Sequence, residues 1–347
     1  MTDVTIASFG PLGWECRNRP PMASYRVLVV TNLWPYEGDP SYGCFVQAQM
    51  ESLRPLGVEY DVLFINGRES RWNYARAVPE LWRRLRRNNY DLIHAHMGLA
   101  GWVARCQRRV PVAVSFLGND VPGKVNRSGR MTLYGRALQI SSIVLARLVR
   151  SVIVKSEEMK RILRLDSARV VPNGVDLSLF RPMDRKEARR ILDLESNKKY
   201  VLFPYNPAEE RKRYDLVEAA ARRARQRIPE IGILLVNRVP QCRMPLYMNA
   251  ADLMVMASMM EGSPNAVKEA LATNLPVVSV AVGDTPELIG SSEGNYLVPR
   301  DAKAIAEKIV EVCLLGKRSV GRAQVERLSM EKVAWQILEV YASVLQK

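Results

Sequence analysis

The chain has 347 residues, of which 48% are hydrophobic, so it is long enough for two ordinary domains, and a single small module is excluded. Its formal net charge of +15 at pH 7 favours phosphates, nucleic acids or anionic membrane surfaces as partners. No apolar run approaches the roughly 18 residues that a helix needs to span a bilayer.

The N-terminal leader, residues 1–23, is predicted to be disordered. It lacks the basic start and the continuous apolar stretch of a secretory signal, which favours a cytoplasmic protein. Met22 stands just before the first clear strand and is an alternative start site, so the sequence leaves open whether residues 1–21 belong to the native protein.

Five cysteines are spread widely along the chain, without a Cys-x-x-Cys pair and without a histidine close enough to complete a zinc site. Because they are odd in number and far apart, we interpret them as reduced thiols in the core of a cytosolic protein. They are Cys16, Cys44, Cys106, Cys242 and Cys313.

Residues 24–181 alternate short β-branched runs with longer helical patterns, which predicts a doubly wound parallel sheet with helices on both faces. The predicted strands are 27–30, 62–65, 92–95, 112–116, 151–155 and 169–171. The predicted helices are 44–55, 75–87 and 132–149.

A cluster of arginines surrounds the predicted helix 75–87 and gives it a basic amphipathic character. Its members are Arg68, Arg71, Arg76, Arg83, Arg84, Arg86 and Arg87, interleaved with Trp72, Tyr74, Leu81, Trp82 and Leu85. Such a helix can lie on an anionic membrane surface, or its apolar side can pack on the sheet beneath a solvated arginine face. Nucleic acid is disfavoured as a partner, because no recognised fold signature or stacking platform accompanies the charge.

The same alternation restarts after Pro182 and predicts a second doubly wound domain over residues 182–329. A last helix, within residues 330–347, is expected to cross back onto the first domain. Two such domains would face a cleft lined by the carboxyl ends of their strands. The predicted strands are 200–203, 232–236, 252–256 and 276–280, and the predicted helices are 186–194, 213–227, 243–250, 265–273 and 302–315.

Residues 261–269 (EGSPNAVKE) place two carboxylates, Glu261 and Glu269, eight residues apart across a predicted helix start. Gly262 lets the backbone turn sharply, and Pro264, which follows Ser263, suits the first turn of a helix. A helix N-terminus suits phosphate, and carboxylates accept hydrogen bonds from sugar hydroxyls. The stretch indicates a sugar-nucleotide site, and the alternative is an ordinary capped helix. The free amides would belong to Asn265, Ala266 and Val267.

Three segments together resemble the retaining glycosyltransferases of family 4. They are residues 171–176 (VPNGVD) followed by 180–182 (FRP), residues 246–252 (LYMNAAD) and the Glu-x7-Glu stretch 261–269. The resemblance extends over nearly everything from about residue 26 onward. It implies an α/β protein with the GT-B fold, in which two Rossmann-like doubly wound domains face a cleft, the first on the acceptor side and the second binding the nucleotide-sugar donor.

The resemblance also implies roles for residues of the second domain. Glu269 would bind the nucleotide ribose, Glu261 would contact the donor sugar, and Lys212 would bind the donor phosphate. The arginine that the family usually places five residues before this lysine falls on Pro207. Its charge could come from Arg211 or Arg213, and the sequence leaves open which of them faces the cleft. Fixed cations aimed at the departing diphosphate would lower the barrier.

In the first domain, residues 35–43 (PYEGDPSYG) resemble the family's N-terminal glycine loop, so Gly43 is expected to approach the diphosphate. The histidines at 94 and 96 share one face of a predicted strand end, and we expect His96 to be a catalytic contact and His94 to be a core residue. Neither has the further ligands that a metal site needs.

The loop 115–120 (SFLGND) resembles a family loop that often reads His-Gly-x-Asp, with Leu117 in the place of the histidine. Asn119, Asp120 and Asn173 are therefore the candidates for acceptor-side contacts. No Asp-x-Asp occurs, so no metal is expected, and cations with a helix dipole would replace it.

We therefore predict a metal-independent, retaining hexosyltransferase without a cofactor that uses a UDP- or GDP-sugar as co-substrate. The basic surface suggests a lipid-linked or polysaccharide acceptor and peripheral association with the inner membrane face. The alternatives are a nucleotide-sugar epimerase of the same fold, which needs acid and base residues in the cleft, and a non-catalytic adaptor for membranes or nucleic acid.

Overall fold

A computed structural model describes residues 24–126, 129–290 and 292–346 of the chain. The predicted disordered leader lies outside the described residues, together with Met22 and Cys16. Two parallel α/β domains account for the rest, which confirms the predicted fold class.

The first domain is built on a parallel sheet whose described strands have the order β2-β1-β3-β4-β5-β6. Valine and isoleucine dominate these strands, and those in the middle are buried on both faces, as is typical of parallel sheets. The strands are β1 (Tyr25–Thr31), β2 (Val58–Phe64), β3 (Leu92–His96), β4 (Val112–Ser115), β5 (Ser151–Val154) and β6 (Arg169–Val170).

Helices cover both faces of this sheet. Four of them pack on one face: α2 (Trp72–Arg87), α3 (Gly98–Arg105), α4 (Leu133–Leu148) and α5 (Glu157–Leu163). Helix α1 (Cys44–Glu51) and a 3₁₀ turn at Arg54–Leu56 lie on the opposite face.

The basic helix expected around residues 75–87 is α2. Its Leu81 and Leu85 are buried in the core under the sheet, and Tyr74 and Val78 pack against the same cluster. The apolar side of α2 therefore packs on the sheet beneath a solvated arginine face, which is one of the two arrangements that the sequence left open. Among the large apolar side chains of α2, only Trp72 is mostly exposed, at 75%.

The second domain has a parallel sheet with the order β11-β10-β9-β7-β8 among the described strands. The strands are β7 (Lys199–Phe203), β8 (Ile231–Leu235), β9 (Leu253–Met256), β10 (Val277–Ser279) and β11 (Tyr296–Leu297). Its helices are α6 (Arg185–Ile191), α7 (Tyr214–Ala224), α8 (Met244–Ala250), α9 (Asn265–Ala272), α10 (Thr285–Ile289), α11 (Ala302–Leu315) and α12 (Arg322–Val325), with 3₁₀ turns at Glu210–Lys212, Gln241–Arg243 and Glu326–Leu328.

The last helix, α13 (Met330–Leu345), lies on the first domain. Its Val333, Ile337 and Tyr341 pack into the core on the α1 face of the first sheet. Gly174 lies against this helix, because a Cβ there would be 3.0 Å from the Met330 Cα atom. The described helices include none that is long and apolar enough to cross a membrane.

Helices α3 and α5 of the first domain are additional to the predicted ones. The sequence of α3, GLAGWVAR, contains glycines that disfavour helices, yet Gly101 fits directly against Leu145 and Val114. The interpretation of the cysteines as core thiols is wrong for Cys106 and Cys242, which are exposed, whereas Cys313 is buried.

Both sheets reverse their strand order at a switch point, between β1 and β3 in the first domain and between β7 and β9 in the second. Ligands of open α/β sheets bind outside the carboxyl ends of the strands at such points. The loops that follow these strands in the two domains line one common cleft.

Candidate active site

The cleft between the domains contains a cavity of about 510 Å³, within the range that ligand-sized sites occupy. Its walls come from the loops after β1, β3 and β4 on one side and after β7, β8 and β9 on the other. The predicted residues in its lining are Gly43, Asn119, Asn173, Arg211, Lys212, Glu261, Gly262, Ser263, Pro264, Asn265, Ala266 and Glu269.

A cluster of one carboxylate and two cations forms the floor on the second-domain side. Glu261 Oε1 accepts hydrogen bonds from Lys212 Nζ at 2.6 Å and from an Arg211 guanidinium nitrogen at 3.2 Å. Lys212 ends the 3₁₀ turn after β7, and the backbone carbonyl of Arg211 accepts a bond from Met259 N–H. This backbone bond connects the two loops and fixes the three charges relative to one another.

The charges of this cluster support each other. Burial alone would raise the pKa of Glu261, but Lys212 and Arg211 together lower it, so the carboxylate stays ionised. Burial lowers the pKa of Lys212, and Glu261 partly offsets that effect. Arg211 also pairs with Glu209 at 3.1 Å, so two carboxylates balance the two cations, and an anionic ligand would compete with Glu209 for Arg211.

Tyr205 completes this floor. Lys212 Nζ lies 3.8 Å from the centre of the Tyr205 ring, a cation–π contact. The Tyr205 hydroxyl is buried without a hydrogen-bond partner in the described residues, and burial raises its pKa well above the ordinary value. A buried hydroxyl without a partner is costly, so this group has spare capacity for a ligand.

The N-terminus of α9 forms the adjoining wall. Pro264 is the residue before the helix, and no side chain caps the helix start. Asn265 and Ala266, whose amides are the first of the helix, line the cavity, so the positive end of the helix dipole lies at this wall. An anion at this position would be stabilised both by these amides and by the helix dipole.

A buried network holds the loop before α9 in place. The hydroxyl of Ser263 donates to Asp284 Oδ2 at 2.7 Å, and Lys268 Nζ is 2.9 Å from the same oxygen and also contacts Ser263. From the linker, Asn173 donates through Nδ2 to Asn265 Oδ1 at 2.9 Å and through its backbone N–H to Ser263 Oγ at 3.2 Å. The segment around Asn173, which follows β6, is thus tied to the loop that precedes α9.

Glu269 lies in the second turn of α9, whereas Glu261 lies in the loop before the helix. Its Oε1 accepts a 2.6 Å hydrogen bond from Gln241 Nε2, and burial raises the pKa of Glu269 to about 7. The two glutamates of the motif thus differ in charge state, because cations surround Glu261 and an amide faces Glu269. A carboxyl group at this place can pair with neutral hydroxyl groups such as those of a ribose.

Gly43 forms the opposite wall, immediately before α1, with φ at 68°. A Cβ at this position would lie 2.3 Å from the Leu33 carbonyl carbon, so only glycine fits and the backbone reaches the cavity. Arg68 and Tyr42 stand beside it, with the guanidinium 3.8 Å from the ring centre. Arg68 also forms an exposed ion pair with Asp39 at 3.3 Å.

Four predicted site residues lie elsewhere. Arg213 pairs with Asp215 through bonds of 2.9 to 3.2 Å and does not line the cleft, so Arg211 is the arginine that does. Val267 is a core residue whose N–H donates to the Pro264 carbonyl at 3.2 Å, because it already lies within the first turn.

The other two are His96 and Asp120. His96 is fully buried at the end of β3, 3.2 Å from Gln49 Nε2, and it does not line the cleft. Asp120 is also buried and accepts the backbone N–H groups of Gly98 and Gly118 at 3.2 and 3.0 Å. Burial raises its pKa to about 6. Its hydrogen bonds shape the loop that contains Asn119, and Asp120 does not line the cleft.

His94 occupies the core, as expected. Its Nδ1 lies 2.7 Å from the Tyr341 hydroxyl on α13 and its Nε2 lies 2.8 Å from Ser115 Oγ. Burial lowers the pKa of His94 to about 3. The described residues include no group of three metal-binding side chains from His, Cys, Asp and Glu.

Several lining residues were not among the predicted site residues: Tyr42, Arg68, Met97, Tyr205, Asn206, Asn237 and Gln241. Tyr205, Asn206 and Asn237 follow strand ends of the second sheet, so the rule that parallel strands present their carboxyl ends to the ligand could have found them. Gln241 lies in a 3₁₀ turn for which no strand end gives a signal.

Two family models match the chain. Residues 22–179 match the model described as Glycosyltransferase Family 4, and residues 206–314 match the one described as Glycosyl transferases group 1. Together they cover the whole sheet of the first domain and four of the five described strands of the second, all but β7.

Individual proteins agree with these models. TuaC of Bacillus subtilis, a glycosyltransferase assigned to teichuronic acid biosynthesis, is 26% identical over 82% of this chain and 88% of its own length. A D-inositol 3-phosphate glycosyltransferase of Mycobacteroides abscessus is 28% identical over 64% of this chain and 59% of its own.

Among solved structures, a sucrose-phosphate synthase of Thermosynechococcus elongatus superposes with a TM-score of 0.76 at 20% identity, over 92% of this chain and 99% of that chain. HepE of Anabaena, solved with UDP and glucose, superposes with a TM-score of 0.67 at 17% identity, over 92% of this chain and 100% of that chain. At these identities the likeness shows the fold.

Proposed function

The chain belongs to glycosyltransferase family 4 and is a glycosyltransferase of the GT-B fold, and on that premise we propose that it moves a hexose from a nucleoside-diphosphate sugar to a hydroxyl acceptor with retention of anomeric configuration. The observation that carries this proposal is the grouping of Lys212, Arg211 and the free amides of α9 on one wall of the cleft. Glu261 lines the same cavity, where it would contact the sugar.

The donor would lie along α9. Its diphosphate would face the Asn265 and Ala266 amides and the two cations, the sugar would contact Glu261, and the ribose would pair with Glu269. Both glutamates line the same cavity, Glu261 from the loop before α9 and Glu269 from within the helix, so one donor would contact both. HepE, of the same fold, has been solved in complex with UDP-glucose, which supports UDP or the related GDP as the carrier.

The chain's own groups would stabilise the leaving diphosphate. As the bond between the anomeric carbon and the phosphate oxygen breaks, negative charge grows on that oxygen. Preorganised cations and N–H groups in a site that excludes water stabilise such charge most effectively. We propose that Lys212, Arg211 and the α9 amides supply this stabilisation without a metal ion and without a further cofactor.

Retention would follow from attack on the face that the diphosphate leaves. The described carboxylates in the cleft lining are already engaged: Glu209 and Glu261 with Arg211, and Glu269 with Gln241. The acceptor oxygen would form its bond to the anomeric carbon as the phosphate oxygen departs, and that oxygen would take the acceptor's proton. Bonds, charge and the proton balance without a covalent enzyme intermediate.

The acceptor is proposed to be a lipid-linked or polysaccharide hydroxyl at the inner membrane face. TuaC is assigned to teichuronic acid biosynthesis, and the charge of +15 favours an anionic surface. Gly118, Asn119 and Met97 line the first-domain side of the cavity, where the acceptor would enter.

A ligand screen tests the proposal at its centre. Melting temperatures would be measured with UDP, GDP, ADP and their glucose conjugates, with and without EDTA, followed by anomeric analysis of any product by NMR. We expect one diphosphate to stabilise the protein in EDTA and the product to keep the donor's α configuration. No stabilisation by any nucleotide, or an inverted product, would contradict the proposal.

A further inference from the structure

Helix α4 carries a row of exposed apolar side chains on its outer surface. Leu133 is 92% exposed, Ile140 52%, and Val144 and Leu148 45% each. Spacings of seven, four and four residues place all four on one face of the helix. The opposite face of α4 packs into the core through Leu145 and Ala146, so the outer row takes no part in the core.

A basic groove runs beside this row, between α4 and α5. Ile140, Ile143 and Ile162 form its apolar part, and it has a volume of about 650 Å³. Four arginines surround it, Arg136, Arg147, Arg161 and Arg164, with Glu158 as the only acid in its lining.

Three of these arginines are free to bind a ligand. Arg147 donates to the carbonyls of Ile143 and Leu163 and so connects the two helices. Within the part of the chain that the structure describes, the side chains of Arg136, Arg161 and Arg164 form neither a hydrogen bond nor an ion pair. An anion that contacted them would not have to displace an internal partner.

We propose that the outer face of α4 and the α4–α5 groove form a docking surface for an anionic lipid bilayer. The apolar row would enter the boundary between head groups and acyl chains, and the three unpaired arginines would contact lipid phosphates. This surface is distinct from α2, whose apolar side is used by the core. The inference deepens the proposed function, because it names the surface that brings the cleft to a lipid-linked acceptor.

The pattern of charged and apolar groups on this surface favours a bilayer over two other partners. A second copy of the chain placed on the same face by a two-fold axis would bring the unpaired arginines close to their own counterparts, which is unfavourable. A nucleic acid would bind the arginines but leave Leu133, Ile140 and Val144 in water. A bilayer with anionic head groups satisfies both the apolar row and the guanidinium groups.

The position of α4 relates this surface to the cleft. Like every helix that follows a parallel strand here, α4 begins at the edge of the sheet where the cleft lies. At this end the Arg71 guanidinium lies 5.9 Å from the centre of the Tyr134 ring. Arg71 is three residues from Arg68, which lines the cleft. A bilayer under α4 would therefore lie next to the cleft entrance.

Flotation of the full chain with vesicles tests the proposal. Vesicles of phosphatidylcholine with 30% phosphatidylglycerol would be compared with pure phosphatidylcholine. The variants are Ile140→Glu with Val144→Glu, Arg136→Glu with Arg161→Glu, and Arg83→Glu with Arg86→Glu on α2. Leu314→Glu is the matched control, because Leu314 is 67% exposed on α11 of the second domain.

We expect the wild type to float only with the anionic vesicles, and the two α4–α5 variants to lose about tenfold in partition coefficient. The Leu314 control should stay within about twofold of the wild type. Absence of wild-type binding, equal binding by the α4–α5 variants, or loss confined to the α2 variant would each overturn the proposal. Stabilisation by a nucleoside diphosphate, measured on the same samples without vesicles, reports on the donor site separately.

Discussion

Gly262 in the second domain meets Leu117 in the first so closely that a Cβ at Gly262 would lie 2.6 Å from the Leu117 carbonyl oxygen. The contact joins the loop before α9 to the loop after β4 at the bottom of the cleft. On its other side, a Cβ at Gly283 would lie 2.6 Å from the Gly262 carbonyl oxygen. Gly262 is thus enclosed from both sides, and the spacing of the two cleft walls depends on its lack of a side chain.

Replacement of Gly262 by alanine should therefore separate the walls. A methyl group cannot fit 2.6 Å from a carbonyl oxygen, so the two loops must move apart and the groups on α9 would lose register with the first domain. We expect kcat/KM to fall about tenfold or more with little change in the melting temperature. Gly118→Ala is the control, since Gly118 lines the same cleft and a Cβ there meets nothing within 4 Å. Equal activities of the two variants would show that the Gly262 contact does not set the geometry.

Lys212 and Arg213 are adjacent in sequence, but Lys212 lines the cleft and Arg213 does not, so variants at these two positions form a matched pair. Lys212→Met should lower kcat by about 10²- to 10³-fold, because it removes a charge that faces the departing phosphate and also leaves Glu261 with Arg211 alone. Arg213→Met should stay within about twofold, since Arg213 only pairs with Asp215 at the surface.

Steady-state rates and melting temperatures of both variants would separate catalysis from folding. Glu261→Ala should likewise abolish turnover while the fold persists. A Lys212→Met enzyme with the rate of the wild type would remove the lysine from the mechanism.

Tyr205 provides a test in which stability and ligand affinity should respond differently. Its hydroxyl is buried without a partner, so Tyr205→Phe should leave the melting temperature of the free protein unchanged or slightly higher. If the hydroxyl bonds the donor, affinity for the nucleotide sugar should fall about tenfold, as expected for one hydrogen bond to a charged group. Isothermal titration of both proteins measures this difference, and identical affinities would leave the hydroxyl without a function in binding.

The sequence contained enough to predict the two sheets but not every contact in the cleft. Hydrophobic runs specify parallel strands, and a helix N-terminus after Pro264 follows from local residue types, so the wall formed by α9 was predictable. Whether Arg211 or Arg213 faces the cavity depends on a single residue in a left-handed conformation, Arg213 with φ at 55°, and local pattern does not report this.

His96 and Asp120 do not line the cleft, for a common physical reason. His96 lies at the end of β3 and Asp120 lies in the loop after β4, as predicted, but both are covered: Gln49 from α1 contacts His96, and the amides of Gly98 and Gly118 donate to Asp120. Strand alternation predicts the face of a sheet that a side chain occupies. It does not predict how deeply the following loops bury it.

Glu269 should make both stability and donor binding depend on pH. Its pKa in the folded protein is about 7, above its ordinary value of 4.5, so the folded protein retains a proton that the unfolded chain releases in this interval. The contribution of this group to the free energy of unfolding is complete below 4.5 and is lost as the pH rises through about 7. Glu269→Gln cannot release a proton, so denaturant titrations should show its stability relative to the wild type increasing across this window.

Binding should respond in the opposite direction, because an ionised carboxylate accepts hydroxyl hydrogen bonds more strongly than a neutral carboxyl group. We expect the affinity of the wild type for the nucleoside diphosphate to rise as the pH passes through about 7, and Glu269→Gln to bind about tenfold more weakly without that added rise. The nucleotide's own phosphate titration affects both proteins equally, so only the difference between their pH profiles bears on Glu269. Parallel profiles for the two proteins would mean that Glu269 does not contact the ribose.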